Sequence, residues 1–149
     1  MQVVLAHVGA KGNVRDPFET LTAMYLERMG AYAKARGEAF RSEEAFLDWL
    51  ERQQGRTAPV AVLLDSRGKQ MSSEKFAAWL GKIRDESAQM VVFAIGPADG
   101  WSAAALGRAR LVLSLGEMTL AHALARVVAA EQIYRAFTIL AGHPYHGGH

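Results

Sequence analysis

The chain ends in HPYHGGH, a segment rich in side chains that could accept protons or bind a metal. His143, His146 and His149 recur every three residues, and imidazole both titrates near neutral pH and ligates metals. Gly147 and Gly148 would make such a chelate flexible, and no nearby carboxylate could orient the rings. We therefore expect no metal here. An aromatic residue and a proline between two histidines also argue against a merely disordered terminus.

Two short glycine-containing segments could let a small ligand approach the backbone closely. Residues 96–100, GPADG, follow an apolar run, and residues 115–120, LGEMTL, precede a long apolar stretch. Glycine carries no side chain to obstruct a ligand, and the second segment could form an apolar floor for a flat ring such as adenine. Spacing alone equally fits an ordinary turn in the first segment and a helix N-cap at Thr119 in the second. Both interpretations stay open.

Glu131 and Arg135 lie four residues apart on the predicted final helix. An acid and a base at this spacing usually form a modest ion pair on the helix surface. Arg135 could instead hold a phosphate or a developing negative charge at the edge of a site. The sequence leaves both alternatives open.

The length and composition of the chain are those of a single globular domain, residues 1–149. A chain of 149 residues can bury roughly 70% of the surface of its unfolded form. The absence of cysteine excludes disulfides, thiolate nucleophiles and zinc sites built on cysteine. No signal-peptide pattern or membrane-length apolar run is present, so we expect a cytoplasmic protein with no membrane partner. A net charge of +2 permits an anionic partner without requiring one.

Apolar periodicity predicts strands and helices in alternation. The expected strands cover residues 2–8, 38–41, 60–64, 90–95 and 110–115. The expected helices run from Pro17 to about Gly37, from Ser42 to Gly55, from Ser72 or Ser73 past Ile83, briefly after Trp101, and from about Thr119 to Leu140. This order favours an α/β fold with a mainly parallel sheet flanked by helices. Ligands bind such sheets at loops after the carboxyl ends of strands, here residues 65–69, 96–100 and 116–118.

The final helix is apolar except at two small and nearly opposite places. Its polar residues are Thr119, His122 and Arg126 near the start, and Glu131, Arg135 and Thr138 near the end. A helix that is polar at only two places and apolar elsewhere is expected to pack against the core of its own chain on one face. Another subunit is expected to cover the opposite face. The pattern therefore predicts a homodimer.

Five motifs stand in order along the second half of the chain. They are LDSRGKQ with SSE (residues 64–74), IGPADG (95–100), LGEMTL (115–120), EQIYRAF (131–137) and HPYH (143–146). Together with the opening VVLAHVGAKG, they resemble the RlmH-type ribosomal RNA large-subunit methyltransferases, which are small members of the SPOUT superfamily. The match is ordered over about residues 60–146, the part that would carry the cofactor and substrate sites.

The resemblance implies a fold and an activity. The fold would be a single SPOUT-like domain whose C-terminal segment forms a trefoil knot. The activity would be S-adenosylmethionine-dependent methylation of N3 of a pseudouridine in 23S ribosomal RNA, on assembled ribosomes. The family acts as a homodimer whose site combines residues from both subunits.

Carried over motif by motif, the resemblance also implies site residues. The cofactor would contact Leu64, Gly96, Leu115, Gly116, Glu117, Met118, Thr119 and Leu120. The tail would face the methyl donor and receive the nucleotide. By their chemistry, His146 would accept the N3 proton, Tyr145 would stack on or hydrogen-bond the base, and Arg135 would compensate negative charge.

The chain departs from the family pattern at two places. Pro97 replaces the second glycine of the usual IGGPEG loop and removes an amide donor. Gly147 stands where a lysine or arginine commonly follows the tyrosine and histidine, which removes a phosphate contact. The alternatives are a methyltransferase acting on another RNA, a noncatalytic RNA-binding module, and a metal protein that uses the histidine tail.

Overall fold

Strands and helices alternate throughout residues 1–53, 55 and 57–145, the part of the chain that the computed structural model describes. The elements are β1 (Gln2–Val8), α1 (Pro17–Met29), β2 (Lys34–Phe40), α2 (Glu43–Arg52), β3 (Val60–Lys69), α3 (Ser73–Asp85), β4 (Met90–Ile95), α4 (Ala103–Arg108), β5 (Leu111–Leu113) and α5 (His122–Ala141). The strands pair in parallel in the order β2-β1-β4-β3-β5. The predicted α/β fold with a parallel sheet is therefore confirmed.

Helices cover both faces of the sheet, because successive side chains of each central strand point to opposite sides. In β1, Val3 and Leu5 join the apolar cluster under α1, α3 and α5. Val4 and Ala6 join the cluster on the other face, with Phe46 of α2 and residues of α4. All five side chains are fully buried, which explains why the central strands read as continuous apolar runs.

The predicted helix starts are confirmed for α1, α2 and α3, where Asp16, Ser42 and Ser72 each accept a backbone hydrogen bond as N-cap. The predicted end of the first helix near Gly37 is wrong, since α1 stops at Met29. The following residues form β2, which pairs over its whole length with β1 and is therefore longer than the predicted 38–41. This gain of backbone hydrogen bonds outweighs the helical propensity of the segment. The second helix also ends early, at Arg52 rather than at Gly55.

Residues 65–69 were expected to form a loop, but they continue strand β3. The pairing of β3 with β5 shifts in register between Leu64 and Lys69, and the backbone N–H of Ser114 donates to the Lys69 carbonyl at 3.0 Å. Gly68 makes the continuation possible, because a Cβ there would lie 2.6 Å from the Val112 carbonyl oxygen. Strand β5 itself is shorter than predicted.

Helix α5 packs between α1 and α3 and begins three residues later than predicted. Thr119 is not its N-cap, because the helix starts after Ala121 without a side-chain cap. The expectation that the polar residues of α5 are exposed to solvent is wrong for Arg126 and Thr138, which are both buried. Arg126 is neutralised by Glu19 of α1, and Thr138 donates to the Arg135 carbonyl. Neither α5 nor any other described helix is long and apolar enough to cross a membrane.

Candidate functional site

A cleft lies at the carboxyl edge of the sheet, where β3, β4 and β5 end. It consists of two adjoining hollows of about 540 and 180 Å³ that share Leu64 and Ile95. Its walls come from residues 64–67, 95–101 and 114–120, and the first turn of α5 closes it. Segments that are distant in sequence meet here because parallel strands end at the same edge of a sheet.

The indole of Trp101 forms the floor of the cleft between β3 and β4. Trp101 is only 3% exposed, and its Nε1–H donates to the Leu64 carbonyl at 3.1 Å. Gly96 lies directly against this ring, so that a Cβ at that position would be 2.7 Å from Trp101 Cε2. The ring of Phe46 supports the indole from below, with ring centroids 5.4 Å apart. Packing of Trp101 therefore requires glycine at position 96.

A carboxylate and a guanidinium tie β3 to the loop before α4. Arg67 donates to both oxygens of Asp65, at 2.8 Å each, and also to the Trp101 carbonyl at 2.7 Å. The hydrogen bonds from Arg67 lower the pKa of Asp65 to about 2. Asp65 is thus held ionised in the wall of the cleft, where its side chain is 4% exposed.

Asp65→Asn is expected to lower the free energy of unfolding at neutral pH by about 1–2 kcal/mol, because Arg67 loses a charged acceptor but remains exposed and solvated. The folded pKa of about 2 lies below the ordinary value of 3.8. The stabilisation is therefore present above the ordinary value and is lost as the pH falls toward 2. Denaturant unfolding of both proteins across this range measures the effect. A difference between them that does not shrink with acid would exclude the ionised carboxylate as its source.

The loop between β5 and α5 supplies the remaining wall of the cleft. Gly116 adopts a φ of 139°, which favours glycine, and Ser114 fixes it by donating to the Gly116 carbonyl at 2.9 Å. Leu115 and Leu120 are half-buried, whereas Glu117 is exposed and Met118 is 86% exposed. Met118 thus places an apolar side chain at the open side of the cleft.

The C-terminal segment contributes a second cluster, built on the later turns of α5. Tyr145 Oη donates to Glu131 Oε2 at 2.7 Å, and Arg135 Nη2 donates to the same oxygen at 2.9 Å. The guanidinium carbon of Arg135 lies 5.1 Å from the centroid of the Tyr145 ring. Burial and the Glu131 carboxylate raise the pKa of Tyr145, so its hydroxyl remains a hydrogen-bond donor. The structure therefore contains the ion pair of Glu131 and Arg135, which is one of the two alternatives that the sequence left open.

The structure separates the predicted site residues into these two clusters. Leu64, Gly96 and the loop of residues 115–120 meet at the cleft, although Glu117 is not among its lining side chains. Arg135 lies further along α5, and Tyr145, which follows the end of that helix, contacts Glu131. Glu131 is six residues beyond Ala125 of the cleft wall, roughly 9 Å along the helix axis. His146 falls outside the described residues.

Four residues of these clusters were not singled out as site residues from the sequence. They are Asp65, Trp101, His122 and Glu131. Asp65 stands inside the LDSRGKQ motif and Glu131 inside EQIYRAF, so the motifs themselves carried a signal. His122 was visible only as a polar residue near the helix start, yet its Nε2 lies 3.1 Å from the Gly96 carbonyl oxygen. Trp101 gave no signal beyond its position after the glycine-rich loop.

Among the described residues, no group of three histidine, aspartate or glutamate side chains could hold a metal ion. Of the tail histidines, His143 is exposed, and its Nδ1 accepts the backbone N–H of Tyr145 at 3.1 Å. The other two, His146 and His149, lie outside the part of the chain that the structure describes.

The chain belongs to the SPOUT methyltransferases, because the model of the family described as "Predicted SPOUT methyltransferase" matches residues 1–146. It is similar to the ribosomal RNA large subunit methyltransferase H of Koribacter versatilis, with 56% identity over 131 residues that cover 88% of this chain and 89% of that protein. With the protein of the same name from Brucella ovis it shares 55% identity over 85 residues, 57% of this chain and 50% of the relative. The motif resemblance is thereby confirmed.

The fold is also similar to that of a solved structure, the SpoU methyltransferase AviRb from Streptomyces viridochromogenes. The TM-score is 0.51 at 14% sequence identity, and the match covers 95% of this chain and 60% of that chain. At this low identity the likeness concerns the fold alone.

Proposed function

We propose that this chain uses S-adenosylmethionine to methylate N3 of a pseudouridine in 23S ribosomal RNA, on assembled ribosomes in the cytoplasm. The observation that carries the proposal is the cleft in which Leu64, Gly96 and the loop of residues 115–120 meet, in a chain that belongs to the SPOUT methyltransferases. Its 56% identity to a ribosomal RNA large subunit methyltransferase H supports the substrate.

The residues of the cleft suit S-adenosylmethionine. The half-buried Leu115 and Leu120 offer apolar surface for a flat ring, Gly96 leaves backbone accessible, and Asp65 offers an ionised acceptor for hydroxyl or ammonium groups. When bound, the cofactor supplies an electrophilic methyl group on a positively charged sulfur. The proposed contacts are Leu64, Gly96, Leu115, Gly116, Glu117, Met118, Thr119 and Leu120.

Pro97 is compatible with this site. It lacks an amide hydrogen, so the loop of residues 96–100 offers one donor fewer than a loop with glycine there. The loop is nevertheless closed by a hydrogen bond from the Gly100 backbone N–H to the Pro97 carbonyl, at 2.8 Å. The same loop still presents the Gly96 backbone to the cleft.

The C-terminal cluster would orient the base and remove its proton. N3 of a pseudouridine carries a hydrogen that must leave when the nitrogen gains a methyl group, and His146 is the proposed acceptor. Tyr145, whose hydroxyl hydrogen is held by Glu131, can stack on the base or accept a hydrogen bond from it. Arg135 balances negative charge that develops on the base.

A homodimer would bring the two clusters together. Apolar side chains on α1 and α5 remain exposed, with Phe18 at 39%, Leu21 at 41% and Leu124 at 39%, and a second copy can cover such a surface. We therefore propose that the cleft of one protomer is completed by the C-terminal segment of its partner. The knotted path of that segment, which the family resemblance implies, is part of the same proposal.

Transfer of a radiolabelled methyl group tests this function. The purified protein is incubated with labelled S-adenosylmethionine and with ribosomes from a strain that lacks the modification, with free 23S ribosomal RNA as the control. We expect label in the ribosomes and little in the free RNA. Label in other RNAs alone would favour a different RNA substrate, and no binding of S-adenosylmethionine by calorimetry would favour a noncatalytic RNA-binding module.

A further inference from the structure

The two hollows of the cleft differ in the charged side chains that line them. Among the described residues, the smaller hollow of about 180 Å³ has one charged side chain in its lining, Asp65, and is otherwise lined largely by apolar residues and backbone. The larger hollow of about 540 Å³ has three, which are Asp65, Arg67 and Asp99. A ligand with an apolar end and a charged end would therefore place its charged end in the larger hollow.

Arg67 is the only lysine or arginine among the described residues that line the cleft. Its guanidinium is oriented by bonds from Nε and Nη2 to the two oxygens of Asp65, and from Nη2 to the Trp101 carbonyl. These bonds use three of its five N–H groups. Nη1 makes no hydrogen bond to a described residue, and the side chain is 58% exposed. Two oriented donors therefore remain for a ligand.

Asp99 adds a carboxylate to the same hollow. It precedes Gly100, where an added Cβ would lie 3.4 Å from Arg67 Nη2 and 3.6 Å from Asp65 Oδ2. The loop that carries Asp99 thus lies against the bonded pair of Arg67 and Asp65. Asp99 is exposed and has no ion pair or hydrogen bond with another described residue. Its carboxylate therefore remains available to a cationic group of a ligand.

The charges of the larger hollow complement those of S-adenosylmethionine. Counted over aspartate, glutamate, lysine and arginine, its lining carries one positive and two negative side chains. S-adenosylmethionine carries a sulfonium, an ammonium and a carboxylate, so it has two positive charges and one negative. A phosphate of RNA would face two carboxylates for one arginine, which is unfavourable. The hollow therefore favours the amino-acid end of the cofactor over an RNA phosphate.

We propose that Arg67 binds the carboxylate of S-adenosylmethionine through Nη1 and that Asp99 binds its ammonium group. The adenine would then lie in the smaller hollow against Leu115 and Leu120, and the methionyl chain would extend into the larger one. Hydrogen bonds between charged groups are about twice as strong as neutral ones, so the two side chains would select ligands that carry the amino acid. The assignment rests on the proposed use of S-adenosylmethionine.

Decarboxylated S-adenosylmethionine tests the contact with Arg67, because this compound lacks only the carboxylate. Calorimetry measures the Kd of both compounds for wild type and Arg67→Gln. We expect wild type to bind S-adenosylmethionine about 10-fold more tightly than the decarboxylated compound, and Arg67→Gln to lose this preference. Arg110→Gln is the matched control, since the Arg110 side chain is 53% exposed, pairs with Glu86 and is not part of the described lining of the cleft. It should keep the wild-type preference.

Net charge alone predicts the opposite order of affinities. The decarboxylated compound is more positive than S-adenosylmethionine, and the lining of the larger hollow carries more negative than positive side chains. Without a contact to the carboxylate, the decarboxylated compound would bind more tightly. A wild-type protein that binds it as tightly as S-adenosylmethionine, or more tightly, would overturn the proposal.

A third compound separates ligand binding from a structural role of Arg67, which also bonds Asp65 and Trp101. 5′-Methylthioadenosine contains the adenosine half of the cofactor and no amino acid. Arg67→Gln should leave its Kd unchanged while the Kd for S-adenosylmethionine rises about 10-fold, and circular dichroism confirms that the variant is folded. An equal loss of affinity for all three compounds would mean that Arg67 only holds the wall of the cleft, and would overturn the proposal.

Asp99→Asn is a second variant that does not disturb the bonds of Arg67. Because Asp99 is exposed and has no described partner, its melting temperature should be unchanged. It should weaken binding of S-adenosylmethionine and of the decarboxylated compound equally, by about 3- to 10-fold, since both carry the ammonium group. Binding of 5′-methylthioadenosine should stay the same. An unchanged Kd for S-adenosylmethionine would overturn the assignment of Asp99.

The remaining outcomes distinguish failure of this assignment from failure of the proposed function. If Arg67→Gln leaves every Kd unchanged and raises KM for ribosomes, Arg67 contacts RNA and the proposal is overturned. Wild-type protein that methylates ribosomes without preferring S-adenosylmethionine over the decarboxylated compound overturns only the assignment. Wild-type protein that shows the preference but does not methylate ribosomes would instead overturn the proposed RNA substrate and leave the contact of Arg67 in place.

Discussion

Gly96→Ala is expected to abolish measurable binding of S-adenosylmethionine and, with it, methyl transfer. The added Cβ would lie 2.7 Å from Cε2 and 2.8 Å from Nε1 of Trp101, closer than non-bonded atoms approach. Trp101 cannot yield freely, because its indole is buried, hydrogen-bonded to Leu64 and packed on Phe46. The loop of residues 96–100 must therefore move, and the cleft with it. We expect an accompanying loss of stability of about 1–3 kcal/mol.

Gly107→Ala is the matched control for this substitution. Gly107 lies in helix α4, and no atom is within 4 Å of a Cβ built there. Alanine at this helical position should leave cofactor binding unchanged and stabilise the protein by up to about 1 kcal/mol. Calorimetry of both variants measures the two affinities, and circular dichroism confirms that each is folded. A normal Kd for S-adenosylmethionine in folded Gly96→Ala would remove residue 96 from the cofactor site.

His146→Ala is expected to lower the rate of methyl transfer to ribosomes by about 10²- to 10⁴-fold, the usual contribution of a general base. Cofactor binding should be unaffected, because the cleft is built from residues 64–67, 95–101 and 114–120. His149→Ala is the matched control in the same tail and should retain wild-type turnover. Single-turnover methylation with saturating cofactor compares the three proteins. Unchanged turnover in His146→Ala would exclude this side chain from the mechanism.

Mixing the two inactive variants tests whether the site is shared between protomers. In a heterodimer of Gly96→Ala and His146→Ala, one composite site would contain an intact cleft and an intact tail. Random association makes half of the dimers mixed, so about a quarter of wild-type activity should return after co-refolding. If cleft and tail of the same protomer form the site, no mixture regains activity. That result would contradict the composite site while leaving both residues in the mechanism.

The sequence predicted those parts of the fold in which local and tertiary signals agree. Met90–Ile95 is a continuous apolar run and is the central strand β4, buried on both faces. Ser42 and Ser72 cap helices where expected, because capping is a local interaction. In contrast, the edge strand β2, Lys34–Phe40, is polar and exposed at several positions. This segment forms a strand because it pairs with β1. The pattern of apolar residues within the segment does not predict that pairing.

The sequence indicated which segments form the candidate site, but it did not indicate how their side chains contact one another. Gly96 and the loop of residues 115–120 were visible because glycine and an apolar loop after a strand suit a ligand, and the family resemblance added Leu64. The bond from Arg67 to the Trp101 carbonyl joins residues 34 positions apart, and the bond from Tyr145 to Glu131 joins residues 14 positions apart. Both depend on how the chain folds in three dimensions. The burial of Arg126 was predicted wrongly, because a partner on another helix, Glu19, determines it.

The identity of the methylated atom is the most direct test of the proposed function. Ribosomes that lack the modification are incubated with the protein and with S-adenosylmethionine carrying a deuterated methyl group, and the nucleosides of the 23S ribosomal RNA are analysed by mass spectrometry. We predict a single labelled nucleoside, a pseudouridine with the deuterated methyl group on N3, and none with Gly96→Ala. A labelled nucleoside of any other kind, or no label with wild-type protein that binds the cofactor, would contradict the account.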